Sequence, residues 1–207
     1  MQFSKRMEQL QTSVFSKLDE EKEKRLKEGE TVLDFTIGSP DIAPSKEVIH
    51  ALLEAAKDEK CYMYSLKDTK EFQHAMKEWY QKRYQVELDE EHEILSLQGS
   101  QEGLAHIALT ICDEGDIVLI PSPSYPVFAN GPKIANAKIY EMPMRKGNNY
   151  LIQFDEIPES IAQQAKMMII SYPNNPTGAT APDAFYEELI AFAKKYDIFV
   201  VHDTAYS

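Results

Sequence analysis

The stretch SYPNNPTGA, residues 171–179, sets asparagines, prolines, a threonine and a glycine directly behind the apolar run 167–170. Such residues are ordinary turn formers, and a tight turn is the plain reading. They also bring a carboxamide, donor and acceptor at once, to the end of a buried strand. A second polar cluster, HDTAYS at 202–207, follows the apolar run 198–201. An unpaired carboxylate beside such a strand costs roughly several kcal/mol, so Asp203 calls for a cation or a hydrogen-bond donor. His202 points to the opposite face if the strand persists, and a ligand would supply the missing partner. A third cluster, Gln98-Gly99-Ser100-Gln101, opens a helical pattern. It is either a simple helix start or a seat for an anion, since unpaired N–H groups and the helix dipole favour negative charge there. Tyr125, in SPSYP, is either a surface loop aromatic or a ring platform.

These clusters need a frame that brings them together. Apolar strands are expected at VLDFT, EILSL, DIVLIP, AKIYEMPM, KMMIIS and IFVVHD. Helices are expected over 16–30, at SKEVIHALLEAAKD with Ser45 as N-cap, at TKEFQHAMKEWYQKRY, at GSQEGLAHIALTIC, and from Pro182. Val48, Leu52 and Ala55 share one helix face, and Phe72, Met76, Trp79 and Tyr80 form a stripe expected to be core. Phe185, Leu189, Phe192 and Tyr196 form another. The mixed charges of 16–30 indicate a solvated helix. Strands alternating with amphipathic helices predict an α/β fold, a mostly parallel sheet covered on both faces in three α/β/α layers. In such sheets ligands bind beyond the carboxyl ends of the strands. All four clusters fall behind an expected strand.

Composition narrows the partners. The 207 residues are 43% hydrophobic and 27% charged, the balance of a soluble globular chain. No apolar run approaches the roughly 20 residues of a membrane span, and the first 30 residues have no signal-peptide core. A net charge of −12 argues against nucleic acid or an anionic membrane as partner. It leaves room for a small anion held by local dipoles. Cys61 and Cys112 match no metal spacing and form no disulfide framework, which fits a reduced cytoplasm.

Together the motifs resemble the class I/II aminotransferases, fold-type I enzymes that use pyridoxal phosphate. The resemblance runs from IGSPD through CYMYSLKDTKEF and GSQEGL to SYPNNPTGA and HDTAYS. The last two are specific in content and spacing: Asp203 lies 28 residues after Asn175, the family's usual interval, and Tyr206 three further on. The resemblance implies that Asn175 and Tyr206 hydrogen-bond the cofactor's phenolic oxygen and that Asp203 pairs with its pyridine nitrogen. It implies that Tyr125 stacks on the ring and that Gly99, Ser100 and Gln101 hold the phosphate. Gly38 corresponds to the backbone position that meets the substrate carboxylate. Tyr64, with Tyr62 as the competing assignment, corresponds to the tyrosine that reaches the phosphate of the other subunit of a homodimer. Asp68 and Ser207 depart from the small residues usual at their positions.

The implied organisation is an N-terminal arm with a small-domain segment over 1–44 and the N-terminal part of the cofactor-binding domain over 45–207. The family's Schiff-base lysine is expected beyond Ser207, so no catalytic residue is assigned. Lys194 and Lys195 fall on a covering helix. The implied activity is transamination between an amino acid and a 2-oxo acid, with this chain inactive alone and its cofactor binding weak or absent. A carbon–sulfur lyase or decarboxylase of the same superfamily, or a non-catalytic remnant, are the alternatives. No G-x-G-x-x-G or Walker-type run speaks for a nucleotide-binding domain.

Overall fold

The computed structural model describes residues 2–10, 14–36, 38 and 40–207. Two compact units divide the chain, one of residues 17–97 and one of residues 1–16 with 98–207.

The unit of residues 17–97 takes in most of α1 (Val14–Lys27), then α2 (Lys46–Ala55) and α3 (Lys70–Tyr84). Side-chain caps set where the last two begin. Ser45 accepts from the Val48 N–H at 3.4 Å and Thr69 from the Phe72 N–H at 3.2 Å, each satisfying an otherwise orphaned donor. None of this unit's described residues is buried. The α3 stripe is therefore not core: Phe72 is 42% and Trp79 46% exposed. Val48, Leu52 and Ala55 on α2 are exposed too. The strands expected at VLDFT and EILSL are irregular backbone instead. A strand is defined by a hydrogen-bonded neighbour, and neither segment has one among the described residues. Asp68 ties its loop to the EILSL segment, accepting from the Ser96 N–H at 2.7 Å and from the Ser96 hydroxyl. Those two donors hold its carboxyl below the usual carboxylate range.

The other unit is a parallel α/β sandwich. Its helices are α4 (Ser100–Ile111), α5 (Val127–Ile134), α6 (Glu159–Ala162) and α7 (Asp183–Tyr196). Its strands are β1 (Ile117–Ser122), β2 (Lys138–Pro143), β3 (Ala165–Ser171) and β4 (Phe199–Asp203), parallel and in the order β2-β1-β3-β4. Alternation along the central strands builds two cores, because successive side chains leave opposite faces. Ile117, Leu119, Met168 and Ile170 join Phe185 and Leu189 of α7 on one face. Val118, Ile120, Met167 and Ile169 join Leu104 and Ala108 of α4 and Phe128 of α5 on the other. The three-layer arrangement follows. Pro182 sits at the N-cap of α7 rather than in its first turn.

Helix α5 was not expected, because Gly131 and Pro132 punctuate its sequence. Both residues are buried. Gly131 lets α5 lie directly on α4: a Cβ there would meet the Leu104 carbonyl oxygen at 2.6 Å and the Ala105 carbonyl oxygen at 3.2 Å. Backbone cannot yield as a flexible side chain would. Gly131→Ala is therefore expected to destabilise the fold by about 1–3 kcal/mol, the usual range for overpacking. A denaturant melt with an unchanged midpoint would contradict this.

No helix among the described residues is long and apolar enough to cross a membrane.

Candidate functional site

The carboxyl ends of β1, β3 and β4 lie side by side, and each is followed by one of the polar motifs. After β1 comes Tyr125, half-buried, with its hydroxyl donating to Gln101 Oε1 at 3.1 Å. That bond ties the strand end to the start of α4. Gly99 is the N-cap there, with φ 85° and ψ 141°, a conformation glycine reaches without a Cβ penalty. Glu102 folds back to accept from the Gln98 N–H at 2.8 Å, a local stop for the chain entering the helix. The first amides of the helix have no carbonyl within it to bond. Those of Ser100 and Gln101 thus stand at a helix start beside the Tyr125 hydroxyl.

After β3 comes the 174–178 turn. Asn175 is half-buried, and its Nδ2 donates to the Tyr206 hydroxyl at 3.2 Å. The tyrosine and the amide, 31 residues apart in sequence, are thereby brought into contact. The end of β4 lies beside the end of β3: Asp203 pairs in register with Ser171, and His202 with Ile170. The strand persists through Asp203, so the two residues face opposite sides. His202 packs near Tyr186 of α7, ring centroids 5.5 Å apart, with its Nε2 3.2 Å from the Tyr172 carbonyl oxygen. Desolvation holds its imidazole below the ordinary value. Asp203 is half-buried, and none of the hydrogen bonds or ion pairs among the described residues engages its carboxylate.

The structure thus brings together Gln101 and Tyr125 at one place and Asn175 and Tyr206 at another, with Asp203 at the end of β4, the strand that leads to Tyr206. Gly38, Tyr62 and Tyr64 belong to the other compact unit. Gly38 is exposed, Tyr64 is 89% exposed, and the Tyr62 hydroxyl donates to the Ala56 carbonyl at 2.6 Å.

Three features escaped the sequence reading. Phe15, in the N-terminal segment, lies with its ring centroid 6.5 Å from that of Tyr125. Nothing in its local sequence marks it. Tyr172 is 2% exposed, and its hydroxyl donates to the Tyr150 carbonyl at 3.0 Å while accepting from the Ile152 N–H at 3.1 Å. Burial pushes its phenol up to about 12. Tyr172 anchors the start of the motif rather than serving as an acid or base near neutrality. Asn174 is the third, and it is buried.

A groove of about 690 Å³ runs along the C-terminal half of α7, lined in part by Phe154, Phe192, Lys195 and Tyr196. That half of α7 leads into the start of β4, the opposite end of the strand from Asp203, so volume alone does not mark the site. Lys195 Nζ is engaged there by the Tyr196 hydroxyl at 2.6 Å and by Glu159 at 3.7 Å.

The profile of the family described as aminotransferase class I and II matches residues 30–207. An LL-diaminopimelate aminotransferase of Halothermothrix orenii is 41% identical over 208 residues, spanning all of this chain and 54% of the relative. One from Aquifex aeolicus is 38% identical, again over 54% of its length. Among solved structures, substrate-bound BacF from Bacillus subtilis superposes with a TM-score of 0.93 at 31% identity, covering 100% of this chain and 53% of that one. A probable N-succinyldiaminopimelate aminotransferase from Thermus thermophilus gives 0.87 at 37% identity, over 93% and 52%. This chain therefore spans about half the length of the curated relatives it matches, and it belongs to the class I and II aminotransferase family.

Proposed function

We propose that this chain provides the cofactor-facing part of an aminotransferase that moves an amino group between an amino acid and a 2-oxo acid. Pyridoxal phosphate is the cofactor of this family. The observation that carries the reading is the half-buried Asp203 carboxylate, engaged by none of the hydrogen bonds among the described residues, on the strand end that leads to Tyr206 and its bond with Asn175.

The residues present fit the cofactor. The helix start at Gly99, Ser100 and Gln101 suits a phosphate, with amide donors and the favourable end of the dipole. Tyr125, held by Gln101, presents a ring face to stack on. Asn175 Nδ2 and the Tyr206 hydroxyl are donors suited to a phenolate oxygen. Asp203 would accept from the pyridine N–H and hold its proton in place, since a nearby negative charge raises the affinity of that nitrogen for it. When bound, the protonated ring withdraws electrons from a carbanion next to it. By the family resemblance, Gly38 meets the substrate carboxylate and Tyr64 the phosphate of a second subunit. The names of the relatives make LL-diaminopimelate the first amino donor to assay.

The test is a titration of the purified chain with pyridoxal phosphate, read by the absorbance of the cofactor. A saturable change, reversed by inorganic phosphate in excess, is expected. Absence of saturation at millimolar cofactor would overturn the reading.

We also expect self-association. Across 17–97, apolar side chains lie open, Phe35 at 91%, Ile42 at 87% and Leu66 at 85% exposure, and so much exposed apolar surface favours a partner. A homodimer is the expected product. Sedimentation giving a monomer mass across micromolar concentrations would refute it.

A further inference from the structure

Asn174 and Asn175 are neighbours in one turn with opposite surroundings. Asn174 is 3% exposed, whereas Asn175 is half-buried and reaches Tyr206. The Asn174 side-chain Oδ1 accepts from the Thr177 N–H at 3.3 Å and from the Thr177 hydroxyl at 2.8 Å. Its backbone closes the same turn: the N–H donates to the Ala179 carbonyl at 2.9 Å, and the carbonyl accepts from the Gly178 N–H at 2.8 Å. The Thr177 hydroxyl in turn accepts from the Ala179 N–H at 3.3 Å. The turn is thus built around one buried side chain.

The orientation of that side chain is not arbitrary. The Thr177 N–H can only donate, so the oxygen of Asn174 must face it. The nitrogen is then left as a buried donor with no hydrogen-bond partner. Such groups are rare in folded proteins, and each calls for an explanation. Packing alone does not supply one, because an apolar side chain would fill the space without stranding a donor. The oxygen is what the turn uses.

We propose that Asn174 is the positioning residue for Asn175. By holding both donors of Thr177, it keeps residues 174–178 in the conformation that carries Asn175 Nδ2 to Tyr206, and with it to the phenolic oxygen of the cofactor. Asn174 itself touches neither cofactor nor substrate. The inference rests on the function proposed above, and its test separates the two.

The test follows the Asn175 side-chain amide by NMR in the ¹⁵N-labelled 207-residue chain, the signal being identified by its loss in Asn175→Ala. Tyr206→Phe gives its shift without the tyrosine partner. Asn174→Ala and Thr177→Val are each expected to move the signal to that Tyr206→Phe position. Thr177→Ser, which keeps the hydroxyl, should leave it at the wild-type position. In pyridoxal phosphate titrations, Asn174→Ala should weaken binding by about tenfold, a lost ionic hydrogen bond seen indirectly. The double variant should bind no more weakly than Asn175→Ala, since one residue acts through the other. An unmoved Asn175 signal in either folded variant, Asn174→Ala or Thr177→Val, overturns the proposal. So do fully additive losses in the double variant. The amide signal needs no cofactor, so a chain that binds no pyridoxal phosphate refutes the proposed function while the role of Asn174 is still decided.

Discussion

Given LL-diaminopimelate, 2-oxoglutarate and pyridoxal phosphate, the 207-residue chain alone is expected to turn over no faster than the cofactor free in buffer. Covalent catalysis of this kind needs an amine at the cofactor aldehyde. None of the lysines of residues 98–207 stands at the strand ends that carry Asn175 and Asp203. Lys138 and Lys166 lie at the opposite ends, in the opening residues of β2 and β3. Lys133 is in the last turn of α5. Lys146 follows β2, an edge strand separated from β3 by β1. Lys194 and Lys195 are in the last turn of α7, and Lys195 is held by Tyr196 and Glu159. Borohydride treatment of the loaded chain should accordingly fix no stoichiometric cofactor to a single lysine of residues 98–207. Turnover above the buffer rate, with a label mapped to one of these lysines, would show the argument wrong. A positive control is available in a full-length relative assayed under the same conditions.

Much of this frame was legible because its signals were local. Ser45 announces a helix start by side-chain chemistry, and its cap forms. The runs behind β1 and β3 are continuous and apolar, as befits strands covered on both faces, whereas β4 is an edge strand with Phe199 47% exposed. EILSL was read as a strand from a shorter apolar pattern and failed, since strand formation is decided by a neighbour that composition does not contain. Leu95 is 79% exposed there. Helix α5 was missed for the converse reason: Gly131 and Pro132 read as breakers, yet tertiary packing against α4 turns the glycine into a contact. At the site, the types and spacing of Asn175, Asp203 and Tyr206 were readable. The difference between Asn174 and Asn175 was not, because two adjacent asparagines are equivalent as turn formers until burial separates them. Phe15 was invisible on similar grounds, since its contact with Tyr125 spans the chain.

Asp203→Ala is expected to weaken pyridoxal phosphate binding by about 10–100-fold while leaving folding stability unchanged or raised. The carboxylate lies half-buried at the end of β4, and none of the described hydrogen bonds or ion pairs engages it. Its removal therefore strands no donor among the described residues, and a half-buried charge without a partner among them is relieved. Binding residues commonly carry such a conflict, with local stability given up for function. With cofactor present, the same carboxylate would accept an ionic hydrogen bond from the pyridine N–H, worth about 1.5–3 kcal/mol, and about 1.4 kcal/mol is a factor of ten. Asp203→Asn separates charge from shape. It keeps an acceptor oxygen but no longer favours the protonated ring, so most of the affinity loss should persist. Thermal melts of the unloaded variants and cofactor titrations of the folded ones give the two readings independently. If Asp203→Asn binds like the wild type, the negative charge is not what holds the cofactor. If both variants melt lower than the wild type, the carboxylate serves the fold, and its place beside Asn175 and Tyr206 is structural.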